Sequence, residues 1–332
     1  MNNVYTYSPM DRVIWDASSP EEIQNEIKRL NVKKVFIVSS STLSKKTSEI
    51  DMIKQTLGKK FVGLFDNCIA HSPLENVIEC AKEVQKSSPD IIITIGGGTP
   101  IDTVKVVQLC YSLGITSTDD LKKISNKHQK IKSKIRQIAV PTTLSGGEYS
   151  IIGGAMDTKI QLKERYTGDD LCPQVVILDP TITLHTPDWL WLSTAIRSVD
   201  HAVEGLCSNS TNPLMPPMAL NSLQLFGNSL RNTHKNRDDI VSRSLSQKAV
   251  WMTAKNLGNT PMGASHGIGY LLGSIGSVPH GYTSCVMLPA VLKWNESYNQ
   301  DKQKWIANAL GRPKLSASEA VGELISDLGL PT

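Results

Sequence analysis

From Val35 to Leu178 one pattern repeats along the chain. A short apolar run without alternation is followed by a segment whose apolar residues recur at helical spacing. The runs are "KKVFIVSS", "KFVGLFD", "DIIITIGGG", "RQIAVPTT" and "QVVILDP", and the helical segments are "SEIDMIKQTLGKK", "PLENVIECAKEVQKS" and "PIDTVKVVQLCYSL". Strands covered on both faces lose their alternation, and strand–helix repetition implies a parallel sheet. The first half is therefore expected to be α/β. After "ILDPTITLHTP" the strands stop. "DWLWLSTAIRSVDHAVEGLCS", "PLMPPMALNSLQLFGNSLRN" and "DIVSRSLSQKAVWMTAKNLG" carry helical spacing alone. The boundary is expected near residues 179–183, giving an α/β part over 1–180 and an all-helical part over 181–332, with a ligand cleft expected where two such halves join. The closing "SASEAVGELISDLGLPT" reads as a helix and a loop leading onward, so the helical part is expected to be short of elements.

Composition narrows the class. The chain has 332 residues, 40% apolar and 20% charged, the balance of an ordinary globular protein. A net charge of +4 is spread out rather than gathered into a stripe, which argues against a nucleic-acid partner. The basic stretch "KKISNKHQKIKSKIR" reads as a solvated loop. Six cysteines show no C-x-x-C pair, as expected of reduced thiols in a cytoplasmic protein. The N-terminal "MNNVYTYSPMDRVIWD" lacks the form of a signal peptide. No stretch approaches the roughly 18 consecutive apolar residues of a membrane span, so no membrane partner is expected.

Two stretches can carry ligand chemistry at strand ends. In "ITIGGGTPIDTVK" three glycines close a buried strand and a helix begins at once. Glycine admits close backbone approach, and the free amides of a helix start attract an anion. The spacing is not G-x-G-x-x-G, and a plain tight turn explains it equally well. "IAVPTTLSGGEYSIIGGAMD" is the second: Thr142, Thr143, Ser145 and two glycines follow a strand directly. Ligands of parallel sheets sit outside the carboxyl ends of the strands, so both loops are expected side by side as a floor for a pyrophosphate. In the helical part, His201, His266 and His280 are three of seven histidines, each among small or apolar neighbours. Three imidazoles with a carboxylate suit Zn or Fe(II), whereas any one alone reads as a satisfied core histidine.

"GGGTPIDTVK", "PTTLSGGEYS", "DHAVEG" and "SHGIGYLLGSIGSVPHGYTSCVMLP" together resemble the iron-containing alcohol dehydrogenase superfamily. "LFDNCIAHSPLENV" adds a resemblance to its maleylacetate reductase-like branch. The resemblance implies a dinucleotide-binding α/β domain, a helical catalytic domain, a small carbonyl or alcohol substrate, and a homodimer. It implies NAD(P)H-dependent interconversion of a carbonyl (aldehyde or keto acid, maleylacetate-like) and an alcohol. Carried over by position, Gly97, Gly98 and Thr99 hold the pyrophosphate with Asp102 on the same turn. Thr142, Thr143 and Ser145 line the nicotinamide half, and Lys163 stands near a ribose, though by itself it reads as an exposed hairpin cation. Ser40 follows the first strand where NAD-preferring relatives often carry an acid, so NADPH is expected to be tolerated alongside NADH.

One departure bears on the metal. The family's metal ligands are one Asp and three His, and His201, His266 and His280 match the histidines. The Asp belongs one turn before His201, where this chain has Arg197. A guanidinium about 4 Å from a divalent ion is repelled by roughly 8 kcal/mol at an effective dielectric near 20. Asp200 is not expected to substitute, because adjacent helix residues point about 100° apart. A bound Fe or Zn is therefore doubted, and Arg197 is expected to polarise the substrate carbonyl or clamp a substrate carboxylate. The proton is then expected from His201, His266 or Tyr270, the last equally readable as a packing residue. Leu144, Tyr149, Trp189 and Tyr270 suggest a partly apolar pocket. Two alternatives stand beside this reading. One is a dehydroquinate synthase-like or glycerol dehydrogenase-like enzyme, although "SIIGGAMD" lacks the lysine of the synthase. The other is a catalytically inactive dinucleotide-binding protein.

Overall fold

The structure is a computed structural model and describes residues 4–276 and 278–332. Its strands are β1 (Arg12–Trp15), β2 (Val35–Ser39), β3 (Phe61–Phe65), β4 (Ile91–Gly96), β5 (His128–Gln129), β6 (Arg136–Pro141), β7 (Ile152–Asp157), β8 (Leu162–Gly168) and β9 (Val175–Leu178). The helices of the same region are α1 (Ser19–Arg29), α2 (Ser41–Lys46), α3 (Glu49–Leu57), α4 (Leu74–Ser87), α5 (Gly98–Leu113) and α6 (Thr118–Lys123). Beyond Thr186 only helices follow among the described residues: α7 (Asp188–Cys207), α8 (Met215–Lys235), α9 (Ile240–Ala254), α10 (Ala264–Ile275), α11 (His280–Trp294), α12 (Gln300–Ala309) and α13 (Ala317–Asp327). None of them is long and apolar enough to cross a membrane.

The chain divides into two compact units. One holds Tyr7–Thr142 and Gly147–His185, and the other holds Thr186–Thr332 together with the short segment Thr143–Gly146. The first unit is built on a six-stranded parallel sheet in the order β1-β9-β6-β4-β2-β3. Its unalternating runs have the expected cause. Val35 and Ile37 of β2 join one apolar cluster, while Phe36 and Val38 join another. In β4, Ile91, Ile93 and Ile95 face the first cluster and Ile92 the second. Burial on both faces leaves no side for polar residues, and buried Thr94 is tolerated because Gln137 donates to its hydroxyl at 2.7 Å.

Three features depart from the pattern reading. β1 pairs in parallel with β9 at the sheet edge, although four residues are too few to show a period. The stretch after "PTTLSGG" is not all loop, since β7 and β8 form an antiparallel pair in a second sheet of order β5-β8-β7. The basic stretch after Lys122 supplies the two-residue strand β5 of that sheet. The six cysteines form no disulfide.

Candidate active site

The sheet unit presents its loops at the carboxyl ends of the strands. β2 leads outward to β3, whereas β4 returns on the opposite side of β2, so the order of connection reverses between β2 and β4. Such a switch point opens a crevice where ligands of parallel sheets bind. On its β4 side the backbone turns at Gly96 (φ 151°), where a Cβ would lie 2.9 Å from the Pro100 ring. Gly97 then caps α5 without any side-chain bond, which leaves the first amides of a 16-residue helix available to an anion. The neighbouring loop is where sequence places it: β4 and β6 pair in register to Gly96 and Pro141, and the Thr142 amide donates to the Gly96 carbonyl at 3.0 Å.

A carboxylate at a helix start would repel a phosphate, but Asp102 is neutralised by neighbours. Lys105 Nζ and Lys163 Nζ stand 3.7 and 3.8 Å from it, and the Gly154 amide donates to it at 3.3 Å. Lys105 is fully buried inside α5, and its ammonium donates to the carbonyls of Gly147 (2.5 Å) and Ile152 (2.9 Å). Lys163 lies on β8, partly buried. Ser40 is the N-cap of α2, its hydroxyl accepting from the Leu43 amide.

In the helical unit, α7 sets Arg197, Asp200, His201 and Glu204 on one face, at spacings of three, four and seven residues. All four are buried. Glu204 closes the start of α10, its carboxylate accepting from the amides of Gly263 (2.8 Å), Ser265 (2.7 Å) and His266 (3.3 Å). A Cβ at Gly263 would meet Glu204 Oε1 at 2.7 Å, so a larger residue there would have to displace that carboxylate. His266 Nδ1 also donates to Glu204 Oε2 at 2.7 Å and lies 3.4 Å from Asp200 Oδ2. Asp200 Oδ2 accepts from the hydroxyls of Ser265 and Ser284, both at 2.7 Å. Arg197 Nη1 donates to Ser284 Oγ at 3.1 Å and stands 3.9 Å from Asp200. The His201 and His266 rings stack with centroids 4.8 Å apart.

This arrangement drives the two imidazoles apart in basicity. Burial, followed by the charges of His266, Arg197 and His280, holds His201 well below the ordinary histidine value. Burial also opposes charge on His266, but the carboxylate of Asp200 and the bonds to Asp200 and Glu204 outweigh it and the net shift is upward. Asp200 is held below the usual carboxylate range: burial works against its charge, but His266, Arg197 and Ser284 prevail. His201 Nδ1, His266 Nε2 and Asp200 Oδ1 are buried without a hydrogen-bond partner.

The expected metal ligands are arranged unequally. His201 and His266 are buried in contact, whereas His280 is exposed at the first position of α11. Among the described residues the donor atoms that converge, within 4.8 Å of one another, are those of Asp200, Glu204 and His266. The atoms here divide between two uses: Asp200 Oδ1, His201 Nδ1 and His266 Nε2 are unpartnered and could meet a cation, whereas the other donor atoms of Asp200, Glu204 and His266 are already engaged. Both Glu204 oxygens are committed to amides of the α10 start, Asp200 Oδ2 is committed to two hydroxyls, and the Arg197 guanidinium supplies the positive charge.

Sequence reasoning set Asp200 aside and did not single out Glu204. Neighbouring helix positions do diverge, yet α10 meets both directions, so Asp200 and His201 each contact His266. The R-x-x-D-H-x-x-E spacing, a single helix face, was the available signal. The residues suggested for an apolar pocket differ in burial. Leu144 and Tyr149 are core side chains, Trp189 is half exposed beside Tyr282, and Tyr270 is half-buried one turn past His266. The segment Thr143–Gly146 is pinned to α7: Thr194 accepts from the Leu144 amide, and Ser198 donates to the Leu144 carbonyl.

The iron-containing alcohol dehydrogenase family matches residues 11–180, and the C-terminal domain of the Fe-containing alcohol dehydrogenase family matches residues 192–332. The chain is 32% identical to the dehydrogenase ALT3 of Alternaria alternata, over 90% of this chain and 87% of that protein. It is 27% identical to a maleylacetate reductase of Burkholderia cepacia, over 100% of this chain and 86% of that protein. The fold superposes on sulfoacetaldehyde reductase from Bifidobacterium kashiwanohense, solved in complex with NAD+, with a TM-score of 0.88 at 20% identity, covering 99% of this chain and 87% of that one. The chain belongs to the iron-containing alcohol dehydrogenase family, in its maleylacetate reductase-like branch, and is an oxidoreductase acting on CH–OH groups.

Proposed function

We propose that this chain reduces the carbonyl of an aldehyde or a keto acid, maleylacetate-like in chemistry, with NADH or NADPH and without a resident metal. The coenzyme pyrophosphate lies on Gly97, Gly98 and Thr99, where the start of α5 offers unpaired amides. Asp102 and Lys163, a charge-balanced pair, face the ribose side, and Thr142, Thr143 and Ser145 serve the nicotinamide half. The observation that carries the metal-free reading is Arg197. Among the described residues this buried guanidinium makes one hydrogen bond, to Ser284, so its remaining donors are available to an oxygen anion.

Hydride from the nicotinamide ring adds to the carbonyl carbon, and the carbon–oxygen π pair moves onto oxygen. Arg197 stabilises that alkoxide as it forms, or holds a substrate carboxylate bidentately. A proton then passes to the alkoxide, giving the alcohol. His266 is the proposed donor, because its Nδ1 is fixed on Glu204, its Nε2 is unpartnered, and its basicity is raised beside Asp200. His201, kept neutral, packs against it. Tyr270, one turn beyond, is the alternative donor. The proposed domains are 1–180 for coenzyme and 181–332 for catalysis.

The test is consumption of reduced coenzyme with a panel of aldehydes and keto acids, with and without EDTA. Turnover insensitive to EDTA, and reduced about a hundredfold or more in Arg197→Ala, is expected for loss of an alkoxide-stabilising group. Activity abolished by EDTA and restored by Fe or Zn overturns the metal-free reading. Coenzyme binding without turnover on any substrate selects an inactive binding protein.

A further inference from the structure

Parallel-sheet dinucleotide folds read the adenosine ribose with a carboxylate at the end of the strand beside the glycine turn; it bonds the 2′-hydroxyl and repels a 2′-phosphate. Here that strand is β2, and it ends in Ser39 and Ser40. Neither carries charge, and Ser40 Oγ accepts from the Leu43 amide as the cap of α2.

The missing carboxylate is supplied from the next strand. β2 and β3 pair in parallel with Val38 opposite Phe65, so Asp66, the residue following β3, stands beside Ser39. Neighbouring strands lie about 4.8 Å apart, which brings Asp66 within one side-chain length of the β2 terminus. Its carboxylate meets the helix that follows β2. Ser44 of α2 donates its hydroxyl to Asp66 Oδ2 at 2.7 Å. Asp66 is only half-buried, and Oδ1 takes no hydrogen bond among the described residues. A carboxylate following the strand beside β2 and held by one oxygen on α2, with the other oxygen open, matches what a ribose diol requires. The cations of the six-residue helix α2, Lys45 and Lys46, lie exposed in its last turn.

We propose that Asp66 is the specificity-determining residue for the coenzyme: its free oxygen accepts from the adenosine ribose 2′-hydroxyl and its charge disfavours a 2′-phosphate, so this chain prefers NADH. The proposal rests on the coenzyme reading above and replaces the tolerance for NADPH expected from Ser40 alone.

Dissociation constants for NADH, NADPH and the 2′-deoxy analogue of NADH test it on the unaltered chain and on Asp66→Asn. The unaltered chain is expected to bind NADH about tenfold or more tightly than NADPH and to lose a similar factor with the 2′-deoxy analogue. Asp66→Asn is expected to bring NADH and NADPH within about threefold of each other. NADPH bound as tightly as NADH by the unaltered chain overturns the proposal and points to Lys45 and Lys46. So does an unchanged ratio in Asp66→Asn. The analogue comparison needs no variant, so a poorly folding Asp66→Asn does not block the test. Failure of both coenzymes to bind the unaltered chain overturns the coenzyme reading itself, and is distinct from binding without discrimination.

Discussion

Replacing Glu204 by Gln changes neither volume nor shape, so its effect isolates what the carboxylate does. Glu204 accepts from the Gly263 and Ser265 amides on different oxygens and from His266 Nδ1 on Oε2. An amide has one accepting oxygen. If that oxygen serves Gly263 and His266, the new NH2 group faces the Ser265 N–H, donor against donor. The opposite flip leaves Gly263 and His266 unpaired instead. Leaving a buried donor unsatisfied costs about 1–3 kcal/mol, and hydrogen bonds to a charged acceptor contribute about 1.5–3 kcal/mol each. Together with the uncompensated charge on His266, a loss of about 3–5 kcal/mol is expected. At roughly 2–4 °C per kcal/mol for a domain of this size, melting of the helical unit should fall by about 10 °C. Calorimetry measures that shift, and amide exchange at Gly263–His266 should accelerate with it. A variant melting within about 2 °C of the parent chain, with the α10 start still protected, would refute the claim that Glu204 holds this helix.

Two further outcomes follow from the same geometry. The His201–His266 pair should give stability a maximum near pH 6.5, the ordinary histidine value for both. His201 is depressed in the folded chain, so its contribution is present above 6.5 and lost as pH falls toward its folded value. His266 is raised, so its contribution is present below 6.5 and lost as pH rises through its folded value. Each limb has a limiting slope of about 1.4 kcal/mol per pH unit, and urea midpoints across pH should show the acid limb flattened in His201→Gln. An unaltered acid limb would count against a buried neutral His201. Lys105→Met keeps the side chain's length but removes the donors held by the Gly147 and Ile152 carbonyls. It should cost about 1–3 kcal/mol, read as a lower urea midpoint together with weaker coenzyme binding, and an unchanged midpoint would show that those contacts are dispensable.

The parallel sheet was legible in the sequence because burial on two faces abolishes alternation, as Val35 to Val38 display by dividing residue by residue between two apolar clusters. The adjacency of the two glycine- and hydroxyl-bearing turns was legible for a related reason: strand ends of one sheet share an edge, and Gly96 and Pro141 are paired in register. The family was legible in short motifs whose order survives at low identity. Strands β1, β5, β7 and β8 were not, since each needs a partner strand to define it, and β1 finds its own far along the chain at β9.

What tertiary structure alone decided is the use of charge. Nothing local to "SVDHAVEG" says that Glu204 closes a helix beginning 60 residues later, or that Asp200 and His201 meet the same imidazole from adjacent positions. Nothing local to "LFDNC" says that Asp66 meets Ser44 on the helix after the neighbouring strand. Residue type and spacing determine which side chains share a face. Hydrogen bonds and ion pairs act over a few ångströms, so which of those side chains meet a partner depends on segments that only folding brings together.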